Sequence, residues 1–197
     1  MNWQQAIKDY QNYLRLERGL SENSIVNYSL DIKKLERWLD TNDIEANPIS
    51  ISAESVQKFI YDIAKSVNPR SQSRIISGLK GFFNYLIFEE YRKTHPMELI
   101  ESPKIGRKLP SVLTLDEVDT LIDAIDLTSA QGERNRAILE TLYGCGLRVS
   151  ELTQLKLWDL YFDEGFIKVS GKGNKQRLVP IGPTTQKYIN IYRNEVR

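Results

Sequence analysis

Residues 143–160 read YGCGLRVSELTQLKLWDL. Gly144 and Gly146 bracket the lone Cys145 and interrupt one helical pattern; a second begins near Val149. Arg148 stands at that boundary among apolar residues, with Glu151 three positions on. A guanidinium so placed needs an anionic partner. One answer is a salt bridge to Glu151 or to another acid. The other is an anion from outside. The macrodipole and unpaired N–H groups of a helix N-terminus favour anions, so a cation there makes sense where an anion shares the site.

Downstream of this stretch the hydrophobic period changes. GFIKVS (165–170) and QRLVPIG (176–182) are short β-type runs around GKGNK (171–175), which predicts a hairpin. Its tip carries Lys172, Lys175 and Arg177 around Gly171 and Gly173. The spacing is not that of a nucleotide phosphate loop, which needs GxxxxGK[ST]. Such a tip is either an ordinary solvated turn or a mobile finger that brings an ammonium to a phosphate, the glycines permitting close approach. A last helical stretch carries Tyr188, Ile191 and Tyr192, whose spacing suits a packed face.

Upstream, Thr114 and Glu117 form a capping box ahead of Val118, Leu121, Ile122 and Ile125, and a further helix runs from about Arg134 to Tyr143. Before these, Pro96, Pro103 and Pro110 punctuate a stretch that also holds Lys104, Arg107 and Lys108. Long helices cannot cross so many prolines, and residues 92–109 read as a linker. Residues 1–91 give four helical patterns and no strand. Their apolar stripes include Trp3, Ile7, Tyr10 and Leu14; Ile25, Tyr28, Ile32, Leu35 and Leu39; Val56, Phe59, Ile60 and Ile63; and Ile75, Ile76, Leu79, Phe82, Phe83, Leu86 and Ile87. The expected fold class is mainly α: a helical domain over residues 1–91, then a mixed α+β segment over residues 110–197 that contains the hairpin.

Opposite the apolar stripe of the fourth helix, Arg70, Ser73, Arg74, Ser77, Lys80 and Asn84 recur at three- and four-residue steps. This is either a solvated face or a surface for duplex DNA. Small hydroxyl residues let a helix lie close, Arg and Lys meet phosphates, and Asn can read a base edge. Helix two offers a weaker version in Lys33, Lys34 and Arg37. The chain has 197 residues and a net charge of +1, so global charge does not announce a nucleic-acid binder and local placement must carry that case. No apolar run approaches a membrane span, and the N-terminus lacks a signal-peptide layout. One cysteine permits no internal disulfide, which fits a reducing cytoplasm; one histidine and one cysteine argue against a His/Cys zinc site.

LYGCGLRVSELTQLKLWDL followed by IKVSGKGNKQRLVPIG resembles the tyrosine site-specific recombinases, above all the Xer branch and the phage-type integrases. YQNYLRLERGLSENSIVNYSLDIKKLERWL (10–39) and HPMELIESPKIGRKLPSVLT (95–114) fit the same family, so the resemblance covers essentially the whole chain. It implies a helical, SAM-like core-binding domain over residues 1–91 and the start of a catalytic domain from residue 110. Arg148 matches the family's first catalytic arginine, which grips the scissile phosphate, and Glu151 its acidic companion. Lys172 matches the hairpin lysine that protonates the departing 5′-hydroxyl; Lys175 is the rival for that role. The implied reaction is DNA strand cleavage and rejoining through a 3′-phosphotyrosine, which needs no cofactor or metal. The implied partners are double-stranded DNA with a palindrome-like site and, in the whole protein, further copies or a paralogue in a tetrameric synapse.

One part of the family pattern has no match. No His-x-x-Arg occurs; His95, the single histidine, is followed by Pro96, Met97 and Glu98 in the linker. Tyr188 and Tyr192 precede the position where the second motif belongs, so no nucleophile is assigned to this chain. The expectation is a fragment that binds DNA without cleaving it. The alternative is a naturally short, non-catalytic DNA-binding regulator of recombination sites.

Overall fold

Asn2, Ser52 and Asn68 each accept the backbone N–H of the residue three positions on, from Gln5, Ser55 and Ser71, and each starts a helix. These are α1 (Trp3–Leu16), α3 (Ala53–Ala64) and α4 (Pro69–Phe88), the last with proline in its first turn. Between the first two lies α2 (Glu22–Thr41), which Ser21 precedes. The computed structural model describes residues 1–106, 109–171, 173 and 175–196. It divides into two units, Met1–Lys108 and Leu109–Arg197.

In the first unit the four predicted stripes meet in one core. Ile25, Ile32, Leu35, Leu39, Val56, Phe59, Ile75, Leu79, Phe82, Phe83 and Leu86 are all buried. Burying each such side chain contributes about 1.5–3 kcal/mol. Ile63 and Ile87, expected in the core, are only half-buried. Gly78 lets α4 press on α2: a Cβ there would stand 2.9 Å from Asp31 Oδ2 and 3.3 Å from the Tyr28 ring.

Residues 92–100, assigned from their prolines to a linker, pack instead onto this unit. Met97 is completely buried. Arg92 donates to the carbonyls of Pro48, Ile49 and Ile51 and to that of Thr94. His95 accepts the Met97 N–H through Nδ1 and sits edge-on to Phe83. Prolines exclude a long helix here, but they do not exclude irregular chain that buries its side chains.

The second unit opens with α5 (Leu115–Asp123), whose Thr114–Glu117 capping box is formed in both directions. Val118 and Ile122 are buried, whereas Leu121 is 47% exposed, and Ile125 lies beyond the helix end. Next, α6 (Gly132–Gly144) ends where Gly146 takes a φ of +58° and the Leu147 N–H returns to the Leu142 carbonyl. The short α7 (Val149–Thr153) then leads through a single 3₁₀ turn into β1 (Leu160–Tyr161). The predicted hairpin is β2 (Phe166–Ser170) and β3 (Gln176–Pro180). The antiparallel sheet has the order β1-β2-β3, with Leu160 opposite Ile167, Ile167 opposite Val179 and Val169 opposite Arg177. Finally, α8 (Pro183–Ile191) passes into a π-helical turn over Tyr192–Val196. Cys145, Leu147, Ile167, Val169, Val179 and Ile181 form the core of this unit. The fold is mainly helical with a small antiparallel sheet that contains the β2–β3 hairpin. Among the described residues no helix is long and apolar enough to cross a membrane.

Candidate functional site

The break after α6 and the start of α7 place Arg148 and Glu151 together. Arg148 is the N-cap residue of α7, with extended backbone, and Glu151 is the third residue of the helix. Glu151 turns back to accept the Arg148 backbone N–H at 2.9 Å through Oε2. Its Oε1 accepts from Arg148 Nη1 at 3.0 Å. The two ends of this pair differ in exposure. The Glu151 side chain is 2% exposed; that of Arg148 is 74% exposed. Arg148 is thus tethered by one nitrogen rather than sealed inside, and no described residue accepts from its Nε or Nη2.

A second arginine completes the arrangement. Arg177, from β3, gives Nη1 to Glu151 Oε1 at 2.6 Å and Nη2 to Oε2 at 3.0 Å. The fork from Arg177, reinforced by the Arg148 N–H, holds the Glu151 carboxyl down at about 2. It is therefore an anion at any physiological pH. Two guanidinium groups on one carboxylate leave a net positive charge, and its larger exposed share lies on Arg148, 74% exposed against 40% for Arg177. Such a group can present parallel N–H donors to the oxygens of a phosphate.

Arg177, expected among the DNA-contacting cations of the hairpin, has its Nη nitrogens engaged by Glu151 while its side chain is 40% exposed. The alternation of β3 carries the signal that would have revealed this. Arg177 shares strand parity with Val179, which is buried, while Gln176, Leu178 and Pro180 face outward. Lys175 is exposed at the hairpin tip, where its carbonyl accepts the Gly171 N–H at 2.8 Å. Lys172 lies outside the described residues. Cys145 is buried, which pushes its thiol up, and it belongs to the core. Among the described residues there is no group of three or more His, Cys, Asp or Glu that could hold a metal ion.

In the first unit the residues of the α4 row differ in what they already touch. Arg70, Ser77 and Asn84 are exposed, and Ser73 and Lys80 are half-exposed. Arg74 is exposed too, but its Nη1 and Nη2 meet Asp31 Oδ2 and Oδ1 at 2.5 and 2.8 Å. Asp31 is completely buried and also draws Lys34 Nζ to 3.5 Å. Arg74 and Lys34 are thus partners of an interior acid, whereas Lys33 and Arg37 remain exposed on α2. The signal for this was an aspartate immediately before Ile32 of the apolar stripe, a place where a carboxylate needs a cation.

Comparison with known proteins gives a consistent result for both units. Residues 111–196 match the phage integrase family, and residues 7–90 match the phage integrase N-terminal SAM-like domain. The chain is 39% identical over 192 residues to tyrosine recombinase XerD of Staphylococcus haemolyticus, covering 97% of this chain and 65% of that protein. Against tyrosine recombinase XerD of Oceanobacillus iheyensis the identity is 40% over 195 residues, covering 98% of this chain and 65% of the relative. The chain thus spans just under two thirds of the length of these curated relatives. Among solved structures, a lambda integrase (residues 75–356) dimer bound to a COC′ core site superposes with a TM-score of 0.76 at 20% identity, covering 99% of this chain and 70% of the integrase. XerH site-specific recombinase bound to a palindromic difH substrate gives a TM-score of 0.67 at 20% identity, over 89% of this chain and 54% of that one.

Proposed function

The chain belongs to the phage integrase family, in the Xer branch of the tyrosine recombinases, and from that premise we propose that the whole protein performs site-specific DNA recombination. Strand cleavage and rejoining proceed through a 3′-phosphotyrosine. This chain supplies duplex binding and the arginine half of the active site. A cytoplasmic location and assembly with further recombinase copies on the DNA go with this reading.

The observation that carries the proposal is the exposed Arg148 guanidinium, held by a single nitrogen to a buried carboxylate. Attack on a phosphodiester builds negative charge on the non-bridging oxygens. Arg148 meets that charge with its outward donors, a contribution of about 3–4 kcal/mol for a preorganised contact of this kind. Lys172 donates the proton to the departing 5′-hydroxyl, an effect of about 10²- to 10⁴-fold. Arg70, Ser73, Ser77, Lys80 and Asn84, with Lys33 and Arg37, face the duplex, and Lys175 meets it from the hairpin. The nucleophile is assigned to no residue of this chain; Tyr188 lies with its ring 4.7 Å from the Arg136 guanidinium.

Titrating the chain against a short duplex at several salt concentrations tests the binding. Affinity is expected to fall linearly on logarithmic axes as salt rises. Absent or salt-independent binding overturns the reading. With a nicked suicide duplex no covalent protein–DNA band is expected, and a band would assign the nucleophile to this chain after all.

A further inference from the structure

Among the described residues Arg177 is the hairpin cation that the structure ties to the arginine site, and its geometry gives it a different task from Arg148. Glu151 accepts from both: Oε1 takes Nη1 of Arg148 and Nη1 of Arg177, while Oε2 takes the Arg148 backbone N–H and Nη2 of Arg177. Four donors thus occupy the positions that a carboxylate offers. Water does not compete, because the Glu151 side chain is 2% exposed.

We propose that Arg177 is a positioning residue for Arg148: by forking onto Glu151 it leaves that carboxylate only one side-chain bond to give Arg148, so that the Arg148 guanidinium stays turned outward. The proposal rests on the reading of Arg148 as the phosphate-binding group. Its physical content is a competition for donors. A carboxylate relieved of Arg177 would draw both Nη nitrogens of Arg148 onto itself, since the bidentate fork is the preferred geometry of the pair. Arg148 would then be paired at the moment a phosphate needs it.

The same contact fastens the hairpin to α7. Arg177 stands on β3 and Glu151 on α7, 26 positions apart in the chain. Gly171, where β2 leaves the sheet, approaches the pair so closely that a Cβ would lie 3.2 Å from Glu151 Oε1 and 3.5 Å from Arg177 Nη1. The end of β2 at Gly171 therefore rests against the ion pair.

The test uses the 197-residue chain, inorganic phosphate as probe, and amide NMR shifts around Val149 and Ser150 as readout. Arg177→Gln is expected to weaken phosphate binding about tenfold, or 1.4 kcal/mol. Arg177→Lys, which keeps the charge and loses the fork, is expected to lose only about threefold. The Glu151 carboxyl should also titrate higher in Arg177→Gln than in the parent. In an Arg148→Ala background Arg177→Gln should have no further effect on phosphate, an outcome that a merely structural role would not produce. If Arg148→Ala leaves phosphate binding unchanged, the phosphate reading of Arg148 falls. If Arg148→Ala abolishes binding while a folded Arg177→Gln binds as the parent does, the positioning role alone falls. Should Arg177→Gln fail to fold, Arg177→Lys decides, and parental affinity in that variant overturns the proposal.

Discussion

Asp31 on α2 and Arg74 on α4 form a two-bond carboxylate–guanidinium fork across 43 residues of chain, with the aspartate completely buried. The fork lies beside Gly78, where a Cβ would crowd Asp31. Its acid lies in the interior of the first unit, while Arg74 is exposed in the same row of α4 as Arg70 and Ser77.

Arg74→Ala should therefore act on stability. It leaves a buried carboxylate with only Lys34 at 3.5 Å, and we expect a loss of about 2 kcal/mol, below the range for a fully desolvated pair because Arg74 is 45% exposed. Denaturant melts check this. Asp31→Leu combined with Arg74→Met should recover most of the loss.

Arg70→Ala should do the reverse. Removing a solvated cation from the same face is expected to leave stability within about 0.5 kcal/mol. If it meets a phosphate, duplex affinity falls and the logarithmic salt slope drops by about one. Parallel titrations of the Arg70 and Arg74 variants, with unfolding curves, separate a DNA contact from an internal one.

Gly144→Ala should loosen the second unit. A Cβ at Gly144 would fall on the Thr185 hydroxyl, which α8 packs against α6. The expected cost is about 1–3 kcal/mol by overpacking. Thr185→Ala in the same chain should relieve most of it, as thermal unfolding of the single and double variants will show.

Glu151 should make stability pH-dependent at the acid end. Its carboxyl is depressed from 4.5 to about 2, so its contribution is present above the unfolded value and is lost as pH falls through the folded one. The stability difference between the parent and Glu151→Gln should therefore shrink between about pH 4.5 and 2. Unfolding midpoints taken stepwise through that window measure it. A difference that stays constant would contradict the ion-pair assignment.

Arg92→Ala should free the chain before α3. Four carbonyls, those of Pro48, Ile49, Ile51 and Thr94, depend on this one guanidinium. A loss of about 2 kcal/mol is expected, with faster amide exchange confined at first to residues 47–52 and 92–97. Arg92→Lys should recover only part, because a lysine cannot span the fork of acceptors.

The helices, their caps and the hairpin were legible in the chain because each depends on neighbours in sequence. Thr114 and Glu117 are three residues apart, and the stripe from Ile25 to Leu39 repeats with the helical turn. The arginine site was legible for the same reason, since Arg148 and Glu151 share one turn of α7. Leu121 was misread because a single helix face does not say how far its neighbour extends. Residues 92–100 were misread because prolines report on backbone conformation and not on burial.

By itself the sequence determined the order of helices, the placement of the hairpin after the arginine motif, and which faces are apolar. Only the tertiary structure decided which of the many cations are already paired: Arg74 with Asp31, Arg177 with Glu151, and Arg148 with one bond and the rest of its guanidinium outward. Periodicity is a local property that any stretch of chain displays. The availability of a charge depends on what folding brings beside it from far along the chain, and on whether water can still reach the pair.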